Sequence, residues 1–351
     1  MNTVLHVNES LFLENVEKIQ KYIGNKKIMP VVKAHGYGTY IHQRIELLNL
    51  FSIVAVANVK EAFEIRKLGY EKDIFVLNQP LIEDLEMISK ENIVIGLSEI
   101  EFLKKVNFPI RVHIELETGM NRTGVKLKNL NSFIEEVKQN TNITVEGCYT
   151  HFSSADFDPD YTKKQISFFE EGVSILQKYF SLKYIHSSAS SGLHYIDDVS
   201  NYVRPGILLY GHQASSSFVD VDVKPITTFQ TKIVSIKEVQ KGEAISYGQT
   251  FIAEDTMKIA TISVGYGDGY SRGLSNKGFV LIDGKKCSIV GRVCMDSCMV
   301  DVTGLDVYVG EDVLLWDNLQ ISVEEIANTL DTISYEVLCG ISSRVERKFF
   351  K

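Results

Sequence analysis

From Ile28 to about Leu209 the chain alternates short apolar runs with amphipathic stretches. The runs are IMPVVK (28–33), SIVAVA (52–57), DIFVLN (73–78), NIVIGL (92–97), IRVHIEL (110–116), ITVEGCYTHF (143–152) and LKYIHSS (182–188), with an eighth near Val203–Tyr210. Val and Ile dominate them, and several are apolar at consecutive positions, as strands buried on both faces of a parallel sheet require. Between them, Val59–Leu68, Ile82–Lys90, Leu130–Gln139 and Tyr161–Tyr179 carry helical periodicity. Asn58 reads as the N-cap of the first of these, and Ser98, three residues before Glu101, as another. Eight strand–helix alternations over about 180 residues predict a (β/α)8 TIM-like barrel in preference to an open doubly wound sheet.

The pattern changes near Ser215–Asp222. Beyond it, short alternating runs such as TTFQTKIVSIKEV, MKIATISV, GFVLIDG and EDVLLW are separated by Gly and Asp turns, which predicts a mainly antiparallel β domain. A helix at Val323–Leu330 and a last strand follow. The reading divides the chain into a barrel domain, 1–217, and a β domain, 218–351, and 351 residues suit two domains.

Composition narrows the function classes. Apolar residues make up 44% and charged residues 23%, which fits a soluble globular chain and excludes a disordered one. An excess of 45 acidic over 37 basic side chains, net −8, argues against a nucleic-acid surface. No apolar run approaches the ~18–20 residues that span a bilayer, and Met1–Asn15 has no signal-peptide pattern. The five cysteines, Cys148, Cys287, Cys294, Cys298 and Cys339, are odd in number and scattered, which suits a reducing, cytoplasmic setting and no metal site.

Several segments then offer chemistry. Lys33 ends the first apolar run, at the rim of a barrel where a buried amine becomes a nucleophile or base, and Gly36 and Gly38 flank Tyr37 in a tight turn. The loops after the seventh and eighth runs, HSSASSG (186–192) and RPGILLYG (204–211), fall where barrels hold phosphate. Arg122 follows the fifth run and is a candidate either for the site or for an ion pair with Glu115 or Glu117. His151 ends the sixth run as a packing residue or a site residue. In the β half, SYGQTF (246–251), SVGYGDGYSRG (263–273) and GRVCMDSCM (291–299) place Tyr247, Tyr266, Arg272 and Asp296 among glycines and apolar positions.

Taken in order, VVKAHGYG, TGMNRTG, YTHFSSAD, HSSASSG, VRPGILLYG, ISYGQTF, VGYGDGYSR, VGRVCMDSCM and ISSRVERKF resemble the alanine racemase family from about residue 25 to the end. The resemblance implies a pyridoxal 5'-phosphate (PLP) enzyme that interconverts L- and D-alanine with two bases. Lys33 matches the lysine that holds the cofactor and works on one face of the α-carbon, and Tyr247 the base on the other face, supplied by the partner in a homodimer. Tyr37, Ser191, Gly206 and Ile207 match phosphate contacts, with Tyr210 closing that motif. Arg204 matches the arginine at the pyridine nitrogen, and Arg122 the one near the ring oxygen. His151 and Arg272 match the residues beside Tyr247, where they would stabilise its phenolate. Met295, Tyr266 and Asp296 match the substrate side.

Three departures from the family pattern carry expectations. Glu115 stands where many members have a carbamylated lysine, and is expected to be a permanent anion beside Arg122. Ser343 and Glu346 replace a tyrosine and a proline in the closing motif, and a smaller residue at 343 is expected to widen the substrate pocket. That would suit a serine/alanine racemase, a group whose members usually carry a membrane domain, so the chain would then be an excised catalytic domain. The N-terminal segment lacks the usual W-x-E, and YGTYIH replaces Y-G-H-G. The competing readings are a related decarboxylase, a non-catalytic PLP carrier and a binding protein; Lys33 and Tyr247 together favour the racemase.

Overall fold

The computed structural model describes residues 3–213, 219–317 and 319–351. Eight short strands line up in parallel in the order Lys27–Ile28, Tyr202–Arg204, Tyr184–Ala189, Ile143–Tyr149, Ile110–Glu117, Val94–Leu97, Asp73–Val76 and Ile53–Val56. The sheet closes on itself through a parallel bridge from Val31 to Ala55, with Val32 N donating to Ala55 O and Ala55 N to Pro30 O, each at 2.9 Å. The result is the expected barrel. Its strands are buried on both faces, as in Ile53–Val56 and Val94–Leu97, which explains their unbroken apolar runs.

The barrel helices follow from their caps and stripes. In Val59–Lys67, Asn58 Oδ1 accepts from Glu61 N at 3.1 Å, and Val59, Ala62 and Ile65 face inward. Leu127–Gln139 buries Leu130, Phe133, Ile134 and Val137, one stripe at helical spacing. Ser98 does not cap a helix: Ile100–Leu103 has no side-chain cap, and Ser98 N and Glu99 N both donate to Gln79 Oε1, at 3.2 and 3.1 Å.

The second half is built on strand Thr227–Val239, which pairs antiparallel with Asp312–Trp316 and Met257–Ile262. It also pairs antiparallel with Val4–Asn8. The N-terminal strand therefore pairs into the β sheet, ahead of the barrel strands. Val4–Asn8 further pairs in parallel with the last strand, Glu346–Phe350, so both ends of the chain meet in one sheet. The 217/218 boundary lies outside the described residues. One apolar cluster runs without a break from the barrel (Tyr37, Val203, Tyr210) into the β sheet (Phe229, Val280, Trp316). A helix absent from the sequence reading, Ser334–Cys339, lies across the barrel mouth, where Gly38 approaches it so closely that a Cβ would fall 2.2 Å from Leu338 O.

Candidate active site

Lys33 does not end a strand. It opens a single turn, Lys33–Tyr37, in which Ala34 (φ 53, ψ 48), His35 (φ 54, ψ 44), Gly36 and Tyr37 (φ 54) are all left-handed. Each non-glycine residue in that conformation costs about 1–2 kcal/mol, so the surroundings must hold the turn. Two backbone bonds of 2.9 Å close it, Gly36 N to Val32 O and Gly38 N to Ala34 O. Glu61, from helix Val59–Lys67, clamps it: one carboxylate oxygen accepts from Ala34 N and the other from Ala57 N, both at 2.8 Å.

The turn lifts Lys33 and Tyr37 into a cavity of about 190 Å3 at the C-terminal end of the barrel. Lys33 Nζ has no hydrogen bond or ion pair among the described residues, and burial, with the nearby charge of Arg122, lowers its pKa. The amine is thus shifted toward the free base that attacks a carbonyl. The Tyr37 hydroxyl likewise makes no hydrogen bond among the described residues; its ring packs on Tyr210 at 4.7 Å. Gly206 faces it, and a Cβ there would lie 2.1 Å from Tyr37 Oη. Gly206 N donates to Ser190 Oγ at 2.9 Å, so the neighbour of the expected Ser191 organises this edge; both serines line the cavity.

Arg204 forms the floor. It is fully buried, and burial lowers its pKa to about 10. Its guanidinium donates to His186 O, Thr150 O and Ser187 O, at 2.7, 2.7 and 2.9 Å. It also donates to His186 Nδ1 at 2.7 Å. Because arginine only donates, His186 Nδ1 must accept, and Nε2–H then donates to His113 Nδ1 at 2.9 Å. His151 lies beside Arg204, Nδ1 to guanidinium 3.4 Å. Burial, with the charges of Arg204, Arg122 and Lys33, holds it at about 3, so its imidazole is neutral.

Arg122 lines the cavity rim, but it forms no ion pair with Glu115 or Glu117 among the described residues. Glu117 instead accepts from Gly119 N and Asn121 N, at 2.5 and 2.7 Å, and shapes the loop. Glu115 accepts from Thr123 Oγ1 at 2.9 Å. Burial raises its pKa, against the hydrogen bonds of Thr123 and Tyr149 and the charges of Arg122 and Arg204. Glu115 therefore shares the cavity with Arg122 without an ion pair between them, which leaves Arg122 to the site alternative.

Other expected residues lie elsewhere. Tyr210 donates to Val31 O at 3.1 Å and supports Tyr37 from behind, and Ile207 sits behind Gly206; neither lines the cavity. Tyr247, Tyr266 and Met295 are 70%, 44% and 53% exposed on the β domain, and Arg272 and Asp296 are exposed there too. Asp296 is tied to Arg344 at 2.6 Å, and Arg344 to Asp268 at 2.7 Å. Tyr266 N donates to Cys294 O (3.0 Å) and Gly267 N to Met295 O (2.9 Å), which makes the two loops one unit. Within one chain His151 and Arg272 are not brought together at Tyr247. Ser343 is exposed in a turn and lines no part of the cavity, so no wider pocket arises from it. The C-terminal segment reaches the cavity instead through Tyr335, on the helix over its mouth. Sequence reasoning missed Tyr335 and Tyr149: the first lies in a segment read as no element, the second in a run counted only as apolar.

The lining fits an anionic aldehyde. Lys33, Arg122 and Arg204 outnumber Glu115, the lysine amine is unengaged among the described residues, and the free Tyr37 hydroxyl lies against the backbone at Gly206, where both can hold an anion. Among the described residues no helix is long and apolar enough to cross a membrane.

Comparison with known proteins agrees with this reading. Residues 7–214 match the family described as alanine racemase, N-terminal domain, and residues 226–349 the alanine racemase C-terminal domain. The alanine racemase of Halothermothrix orenii is 40% identical, covering 95% of this chain and 93% of that one. The structure of alanine racemase from Clostridium difficile superimposes with a TM-score of 0.94 at 32% identity, covering 100% of this chain and 96% of that one. That of Bacillus anthracis alanine racemase with bound L-Ala-P gives 0.93 at 30% identity, covering 100% and 95%. With the barrel, the lysine turn and the cation-lined cavity already in place, these likenesses show that the chain belongs to the alanine racemase family of PLP-dependent isomerases.

Proposed function

We propose that the chain interconverts L- and D-alanine as a homodimer in which each cavity is completed by the β domain of the other copy. One observation carries this. Lys33 stands unengaged in a cation-lined cavity, while Tyr247, Tyr266 and Met295 are exposed on the β domain of the same chain. For Tyr247 to act as the second base beside an α-carbon, it must arrive from a second molecule.

Bound pyridoxal phosphate supplies the electron sink that makes an α-proton labile. Lys33 holds the cofactor and exchanges the proton at Nζ on one face. Tyr247 of the second copy exchanges it at Oη on the other, so that either enantiomer can enter and leave. Arg204, which only donates hydrogen bonds, would hold the cofactor's ring nitrogen as an acceptor, keeping it unprotonated and so restraining side reactions. Tyr37, Ser191 and the backbone at Gly206, with Ile207 N–H just behind it, would hold the phosphate, Arg122 would hold the ring oxygen, and Met295 N–H the substrate carboxylate. His151 is already neutral and sits between Arg204 and the position this reading gives the second copy's phenol. Alanine is the substrate favoured over serine, because Ser343 lies outside the cavity and Tyr335 bounds it. The cellular setting we assign is cytoplasmic, with D-alanine supplied to peptidoglycan precursors. We place the domain division at 217/218, with Val4–Asn8 joining the second domain.

The test is complementation. Lys33→Ala and Tyr247→Phe should each abolish racemisation, measured by a D-amino-acid readout from L-alanine. Co-expressed, they should recover about a quarter of wild-type activity, because random pairing gives half mixed dimers, each with one intact site. No recovery in isolated mixed dimers, or a fully active monomer in sedimentation, would reject the shared site.

A further inference from the structure

The left-handed turn at Lys33 points a second side chain outward. His35 is half exposed, and its ring stacks on Tyr40 at 5.0 Å. Seven residues on, the buried His42 turns Nε2 toward Glu64 Oε1 at 3.2 Å, and His35 Nδ1 lies 3.8 Å from Glu64 Oε2. One donor atom from each of the three lies within 4.8 Å of the others.

These groups come together for separate reasons. His42 is fixed by burial. Glu64 sits one helical turn beyond Glu61, so the face of Val59–Lys67 that clamps the turn also presents this carboxylate. His35 is fixed by its φ of 54, a conformation the clamp imposes. Glu64 is the side chain that His42 engages, and His42 Nδ1 is buried with no well-aligned hydrogen bond among the described residues. Its side-chain connection runs through Glu64, and the His35 backbone lies close to its ring.

We propose that His35, His42 and Glu64 form a binding site for a divalent transition-metal ion of the zinc class, on the outer side of the turn that carries Lys33 and Tyr37. Two imidazoles and one carboxylate are borderline ligands that suit Zn2+ over Mg2+ or Ca2+. Around a tetrahedral zinc with bonds of about 2.0–2.1 Å, donor atoms stand about 3.3 Å apart. The pair at 3.2 Å already meets that spacing, and the half-exposed His35 supplies the remaining movement. The fourth position opens to solvent beside His35 and takes water. Binding there ties the turn to helix Val59–Lys67 and so couples metal occupancy to the geometry of Lys33.

The experiment uses tag-free holoenzyme stripped with chelator and dialysed against Zn2+, with bound metal measured per chain. A parallel Co2+ titration reads the visible absorption of a tetrahedral site. The variants are His35→Asn, which keeps a residue tolerant of left-handed φ, and Glu64→Gln. The wild type should take up one equivalent of zinc and develop the Co2+ bands. Each variant should bind at least about ten-fold more weakly and lose the bands, with its metal-free unfolding midpoint unchanged. Less than about 0.2 equivalents bound by the wild type at about 100 μM zinc, or equal binding by both variants, would overturn the site.

Discussion

Gly206→Ala probes the phosphate edge of the cavity. The added Cβ would stand 2.1 Å from Tyr37 Oη, 2.9 Å from Cζ and 3.4 Å from Cε2. At φ −116 the position is not left-handed, so the clash is the leading cost. Relief requires the Tyr37 ring to retreat by more than about 1 Å to reach ordinary contact. Tyr210 lies behind it at 4.7 Å and Tyr335 beside it at 5.9 Å, so it has little room to do so. Overpacking of this kind costs about 1–3 kcal/mol. If the cost falls on the phosphate-binding state, PLP affinity drops roughly 5- to 150-fold, at 1.4 kcal/mol per decade. The assay is titration of apoenzyme with PLP, followed by absorbance, beside the thermal midpoint of the apoenzyme. Adding Tyr37→Phe removes the shortest contact and leaves Cζ at 2.9 Å, so the double variant should retain its Kd better than the single effects would sum to. A Gly206→Ala enzyme that binds PLP within two-fold of wild type, with an unchanged midpoint, would refute the argument.

Glu61→Gln should loosen the lysine turn by replacing one of two carboxylate acceptors with an N–H donor; a loss of about 1–3 kcal/mol in urea unfolding and a lower kcat are expected. Asp73→Asn tests the opposite rim of the barrel. Burial opposes ionisation of Asp73, but hydrogen bonds from Arg111 and Tyr184 and the charges of Arg111 and Lys183 outweigh it and hold the pKa at about 2. The carboxylate's contribution, about 2 kcal/mol, is complete above its ordinary value of 3.8 and lost as pH falls through about 2. Wild type and variant should therefore differ fully at pH 7, by about half as much near pH 3, and converge only below about pH 2 in denaturant titrations; a constant gap would contradict the assignment. Glu115→Gln should lower racemase activity, and added bicarbonate should leave the parent enzyme unaffected, since its carboxylate needs no carbamate.

Hydrophobic periodicity was sufficient for the barrel, because strands such as Ile53–Val56 and Val94–Leu97 are buried on both faces and must be continuously apolar. It was sufficient too for Val59–Lys67, whose cap and stripe are local. The motifs around Lys33, Tyr37, His151, Arg204 and Gly206 also pointed to residues that the fold brings into one cavity. What tertiary structure alone decided rests on contacts between distant segments. Val4–Asn8 looks like any short strand, and only its pairing with Thr227–Val239 and Glu346–Phe350 assigns it to the β domain. Tyr335 reaches the cavity, and Ser343 does not, because helix Ser334–Cys339 crosses the barrel mouth where the closing motif turns away. Glu61 clamps Ala34 from 27 residues away, and without it a run of left-handed residues would be too costly to hold. Local sequence determined most strands and the capped, striped helices, since those depend on near neighbours; the lysine turn and which side chains face each other were decided by the closure of the barrel and the return of the chain across its mouth.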